Sequence, residues 1–345
     1  MVKNNPLRGW QVDRAAIRHV GQNLQRPECV LAERNGTLWA ADARGGAMRI
    51  STDGQQQLVV PFDAASPDAA IDFDSRYVQS HGSLPNGMAF LPGGEIVVAN
   101  WGTDSVDVMT REGQVRRLFD RLDGEPLGKA NFVLRDRRGR VWLTVTTRMN
   151  PWTDSINARA ADGYIAVIDE KGPRIVADGF EGTNEIRMDA AEEWLYVVES
   201  NARRISRLQV RADGSLGTRE VYGPSKLPGF PDGFAFDAFG NLWVTLVMAD
   251  RLVAITPDGE LLTLLDDGNP EATRELDAHY EARTLTPEIM AAACGTLAPW
   301  MASLTFGGPD LQTVYLGSLR GTTLPSFRSP VPGLAPVHWN EDFPT

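Results

Sequence analysis

The stretch FPDGFAFDAFGNLWV, residues 230–244, decides the fold. Its first half is apolar and rich in strand formers. DAFGN (237–241) carries the Asp, Gly and Asn of a tight turn, and LWV resumes strand chemistry. The stretch reads as a β-hairpin with a carboxylate, Asp232, at the mouth of its first strand beside Gly233.

The same unit recurs in ECVLAERNGTLWAAD (28–42), NGMAFLPGGEIVVAN (86–100) and NFVLRDRRGRVWLTV (131–145). It recurs again in NEIRMDAAEEWLYVVES (184–200) and ASLTFGGPDLQTVYLGS (302–318). A third strand follows each hairpin: GAMRI, DSVDVM, GYIAVI, RRISRLQV, DRLVAIT and TTLPSF. Five copies then offer a fourth strand, and the sixth does not. The N-terminal AAIRHVG (15–21) can supply it and close a ring.

Six four-stranded units spell an all-β fold, a six-bladed β-propeller in one domain over residues 1–345. Trp39, Trp142, Trp194 and Trp243 fall in second strands and read as inter-blade core. A partly helical insertion, about 266–301, precedes the last blade. Its helical part spans about 270–293, and Thr286-Pro287-Glu288 is a helix start with Thr as N-cap and Pro at the first position.

Composition limits the partners. The net charge of −11 speaks against nucleic acid. No run approaches the ~20 apolar residues of a membrane span. Two cysteines, Cys29 and Cys294, build neither a disulfide framework nor a thiolate cluster, and both read as small buried hydrophobes. The start of the chain lacks a signal-peptide pattern, so a cytoplasmic protein acting on a small molecule is expected.

Aligning the units exposes chemistry. Counting back ten residues from Leu38, Ile96, Val141 and Leu242 reaches Glu28, Asn86, Asn131 and Asp232. Eleven back from Leu195 reaches Asn184, and the sixth copy places Ala302 there. In a propeller the first strands line the axis, so these positions form a ring. Five oxygen-bearing side chains with no Lys, Arg, Cys or His suit a hard cation such as Ca²⁺. Pro-Asn-Gly and Pro-Asp-Gly are also turn signals, but one oxygen position repeated five times favours the cation.

The chain resembles the SMP-30/gluconolactonase/luciferin-regenerating-enzyme family from about residue 15 to 335. The resemblance is most specific in PDGFAFDAFGNLWV, GTNEIRMDAAEEWLYVVES and SLTFGGPDLQTVYLGS. It implies a six-bladed propeller with one divalent cation on the axis: Ca²⁺ first, with Zn²⁺, Mn²⁺ or Mg²⁺ as alternatives. Glu28, Asn184 and Asp232 would be ligands, and Asn131 would contact substrate or complete the metal shell. Lys129 falls where sugar-lactone hydrolases carry a substrate-binding arginine. Three departures stand out: Phe132 follows Asn131 where the family carries Asp, Cys29-Val30 follows Glu28 in place of Gly-Pro, and Asn86 replaces the His of arylesterase propellers. The Phe and Val hint at a substrate less polar than a sugar lactone.

The expected activity is metal-dependent opening of a lactone or related cyclic ester, with Asp232 as general base. No G-x-S-x-G elbow supports a serine hydrolase. The alternatives are a non-catalytic ligand-binding or scaffold propeller with a structural cation, or another metal-assisted reaction such as phosphotriester hydrolysis or isomerisation. Long segments at 61–84, 120–130, 147–162, 222–231 and 266–301 share the face of the ring. On that face His81, Trp101, Arg148 and Trp152, with Asn86 of the ring, are further expected substrate contacts.

Overall fold

The computed structural model describes residues 4–61, 69–72 and 74–344. Residues 62–68 and 73 of the 61–84 segment lie outside the described residues. The chain forms six four-stranded antiparallel sheets around a common axis, as the repeat predicts. Their inner hairpins are Val30–Ala32 with Leu38–Asp42, Pro85–Phe90 with Ile96–Asn100, and Ala130–Arg135 with Val141–Val145. Then come Thr183–Met188 with Trp194–Glu199, Phe230–Phe236 with Leu242–Val247, and Met301–Gly307 with Thr313–Ser318. The N-terminal strand Arg18–Val20 pairs antiparallel with Leu324–Arg328, so both ends of the chain build the sixth blade.

The turn chemistry is visible atom by atom in the fifth blade. Asp237 accepts the backbone N–H of Phe239 and Asn241, each at 2.9 Å. It also accepts Asn241 Nδ2 at 2.7 Å and Trp243 Nε1 at 2.9 Å. The carboxylate therefore closes the turn and locks the indole of the second strand. Trp142 bonds Asp136 and Trp39 bonds Glu33 in the same way, each six residues apart. These three tryptophans are fully buried. Trp194 corrects the expectation: it precedes Leu195, one residue out of register, and lies half-buried under Arg207. Buried Tyr196 takes the core place instead.

Each inner strand from the second to the sixth blade breaks register near its start. The shifts fall between Pro85/Met88, Ala130/Phe132, Thr183/Ile186, Pro231/Phe234 and Met301/Leu304. Asn86, Asn131, Asn184, Asp232 and Ala302 stand inside these shifts. A bulge leaves its residue unpaired in the ladder and re-aims its side chain. Gly233 has a packing reason: a Cβ there would lie 2.6 Å from Ala302 O and 2.7 Å from Glu185 Oε1.

Two short helices, α1 (Arg76–His81) and α2 (Asp154–Ala158), precede the insertion before the sixth blade, which holds α3 (Pro270–Ala282) and α4 (Pro287–Ala292). Thr286 caps α4 with Pro287 behind it, as expected. Asp250 fastens the end of the insertion by accepting the N–H groups of Gly295, Trp300 and Met301 at 2.6, 3.1 and 2.7 Å. Among the described residues no helix is long and apolar enough to cross a membrane. Cys29 is buried and Cys294 half-buried, and both are free.

Candidate active site

The bulges build a polar floor. Asn86, Asn131, Asn184 and Asp232 line one cavity of about 280 Å³ together with Glu28, which lies just ahead of the first blade's inner strand. All five side chains are buried. The floor divides into two arms. In one, Arg26 adopts a positive φ of 55° and turns its guanidinium into the cavity. Its Nη2 lies 2.8 Å from Glu28 Oε2 and donates to Asn86 Oδ1 at 2.7 Å, while Nη1 donates to Pro85 O at 3.2 Å. Asn86 Nδ2 then donates to Asn131 O at 3.0 Å.

In the other arm Asn184 Nδ2 donates to Ser200 Oγ at 3.1 Å, and Ser200 Oγ donates to Pro231 O at 2.6 Å. Burial pushes the Asp232 carboxyl well above its usual range, and the charges of Glu28 and Glu185 push it the same way. Glu28 is pushed up to about 7, chiefly by burial, with Arg26 pulling it back. Glu185 lies next to the ring on the fourth blade, paired with Arg187 at 2.7 Å, and burial raises it too.

The donor set fits a hard cation. Asn131 Oδ1 and Asn184 Oδ1 are buried and accept no hydrogen bond, and Glu28 Oε2 has only its ion pair. Buried polar atoms are seldom left without a partner, so such oxygens converging on one cavity call for a ligand. Among the described residues no group of three His, Cys, Asp or Glu side chains is set to hold a metal. The candidate set is mixed instead: two carboxylates and two amides.

Trp101 and Trp152 line the cavity above the floor, their rings 5.6 Å apart edge to face. Three other sequence-predicted contacts do not line it. Lys129 is fully buried between the second and third blades, its Nζ bonded to Gln79 O at 2.7 Å and Trp101 O at 3.3 Å and paired with Asp104 at 2.9 Å. Arg148 lies over the Tyr164 ring at 4.4 Å. His81 ends a short helix, α1 (Arg76–His81). Sequence reasoning missed Arg26, Ser200, Phe230, Met290, Trp300 and Arg320, which do line the cavity. Arg26 sits two residues before Glu28 but has no counterpart in the repeat, so alignment passed over it.

The opposite mouth of the axis holds a smaller cavity of about 150 Å³, lined by Met88, Phe90, Phe132 and Phe306 together with charged residues, among them Arg135, Arg187 and Glu192. Residues near the C-terminus run across it. Gly333 bridges to Asp237, His338 Nε2 lies 3.0 Å from Ala32 O, and Phe343 packs on Phe90 at 4.7 Å. The two cavities share no lining residue.

Comparison with known proteins places the chain. The profile described as the SMP-30/Gluconolactonase/LRE-like region matches residues 26–273. A 6-deoxy-6-sulfogluconolactonase of Pseudomonas putida is 26% identical over 234 residues, 66% of this chain and 66% of that protein. Among solved structures, a gluconolactonase from Xanthomonas campestris superposes with a TM-score of 0.63 at 18% identity, covering 94% of each chain. Regucalcin from Agrobacterium tumefaciens, described as a calcium-binding protein, gives 0.64 at 15% identity over 94% of this chain and 96% of its own.

Proposed function

Because the chain belongs to the SMP-30/gluconolactonase/LRE-like family, we propose that it is a hydrolase that opens a lactone or related cyclic ester, with a divalent cation, Ca²⁺ first, on the propeller axis. One observation carries the reading: the unpartnered oxygens of Asn131 and Asn184 face the same cavity as Glu28 and Asp232. The names of the Pseudomonas and Xanthomonas relatives support the lactone class, and that of the Agrobacterium protein supports calcium.

Glu28, Asn131, Asn184 and Asp232 would hold the cation. A cation bound there supplies Lewis-acid polarisation of the ester carbonyl and lowers the pKa of a water. Asp232 takes a proton from the water as its oxygen bonds to the acyl carbon. It returns that proton to the ring oxygen as the acyl C–O bond breaks, leaving a hydroxy acid. Arg26 holds Glu28 and Asn86 in place.

A panel of lactones assayed with protein stripped by chelator and reloaded with Ca²⁺, Mn²⁺ or Zn²⁺ tests this. Turnover is expected in the loaded protein and a loss of at least about 100-fold on stripping. No turnover under any metal sinks the hydrolase reading.

Arg26 gives a second check. Its positive charge abuts the proposed ligands, so it opposes a cation electrostatically. Arg26→Met is expected to tighten Ca²⁺ binding by about tenfold or more in calorimetric titration. Unchanged or weaker binding removes Arg26 from the charge balance of the site.

A further inference from the structure

The cavity has two storeys of opposite character. The floor is polar. The wall above it is built by Trp101, Trp152, Phe230, Met248, Met290 and Trp300. Met290 comes from α4 of the insertion, and Trp300 follows it on the segment that Asp250 fastens. The rim polar groups are already engaged. Gln79 Oε1 accepts Trp101 Nε1 at 2.8 Å, Asn201 Nδ2 donates to Ser155 Oγ at 3.1 Å, and Arg320 pairs with Asp74 at 3.0 Å. Trp300 Nε1 and Arg320 Nε are the exceptions: both are buried with no hydrogen-bond partner, and Trp300 is 8% exposed. The Arg320 guanidinium covers its ring at 4.4 Å.

A polyhydroxylated ring pressed against this wall would bury more hydroxyls than Trp300 Nε1 and Arg320 Nε could bond, which is unfavourable. An aryl or alkyl body would instead bury apolar surface against indole and thioether groups.

We propose that this site takes a lactone with an apolar aryl or alkyl body, its carbonyl at the floor, and that Trp300 Nε1 donates to an acceptor oxygen of that molecule. The inference rests on the lactonase reading above and assigns the insertion a role: through Met290 and Trp300 it supplies part of the apolar wall of the substrate site.

Dihydrocoumarin and an alkyl-substituted δ-lactone would be compared with glucono-δ-lactone on the calcium-loaded protein. The apolar lactones are expected to show kcat/KM at least about 100-fold higher. Dihydroquinolinone, a cyclic amide of the same shape, gives a binding readout by calorimetry that needs no turnover. Trp300→Phe keeps an apolar ring but loses the N–H, and is expected to weaken that binding about five- to tenfold. Preference for glucono-δ-lactone overturns the substrate class and leaves the hydrolase standing. Hydrolysis of neither class overturns both. Equal binding of dihydroquinolinone by the Trp300→Phe variant overturns the role of Trp300. The substrate comparison uses the unaltered protein, so it holds even if that variant folds poorly.

Discussion

Asp232→Asn lowers kcat/KM for the best lactone by about a thousandfold, the middle of the range for loss of a general base. The change is isosteric, and Asn keeps an oxygen toward the axis. It cannot accept a proton. The same change removes a buried charge that Glu28 and Glu185 repel. Thermal stability of the metal-free protein is therefore expected to hold or rise, which separates lost chemistry from lost folding. Steady-state kinetics beside a thermal melt make the check. A loss below tenfold with an intact fold would falsify the general-base role.

Asp237→Ala destabilises the protein by about 3–5 kcal/mol, measured by urea unfolding of both proteins. Asp237 is buried and accepts four hydrogen bonds from Phe239, Asn241 and Trp243. Alanine leaves the Trp243 indole N–H and the Asn241 amide buried without that acceptor. Trp243 also packs on Phe306 at 5.3 Å and Trp10 at 5.7 Å, so a loosened indole disturbs the sixth blade and the N-terminal segment as well. A change under about 1 kcal/mol would show that the turn stands without its carboxylate.

The difference between these two acids explains what the sequence made legible. Asp237 works within its own hairpin, through partners two to six residues away, so turn chemistry exposes it. Asp232 works across blades, and only alignment of the repeat exposes it. The blades, their strand order and the closing N-terminal strand were readable because each unit carries its own turn and strand signals. The ring residues were readable because the bulges recur at one aligned position.

Other parts of the site obey no repeat. Arg26 points inward because a positive φ redirects it, and nothing in RPECV announces that torsion. Lys129 looked like a substrate contact by position, yet Asp104 and two carbonyls hold it between blades. The apolar wall depends on where the insertion docks. That is settled by Asp250 reaching segments about fifty residues further along, a contact local patterns do not encode.

The pairing of Arg18–Val20 with Leu324–Arg328 has a consequence for the order of events at the ribosome. His19 and Thr323 touch across 304 residues of chain. Arg18–Val20 is synthesised about 300 residues ahead of its partner. Five sheets can form while this strand waits with its edge bare. The ring becomes a ring only when Leu324–Arg328 clears the tunnel, and until then the nascent propeller is an open arc with the edge of Arg18–Val20 unpaired.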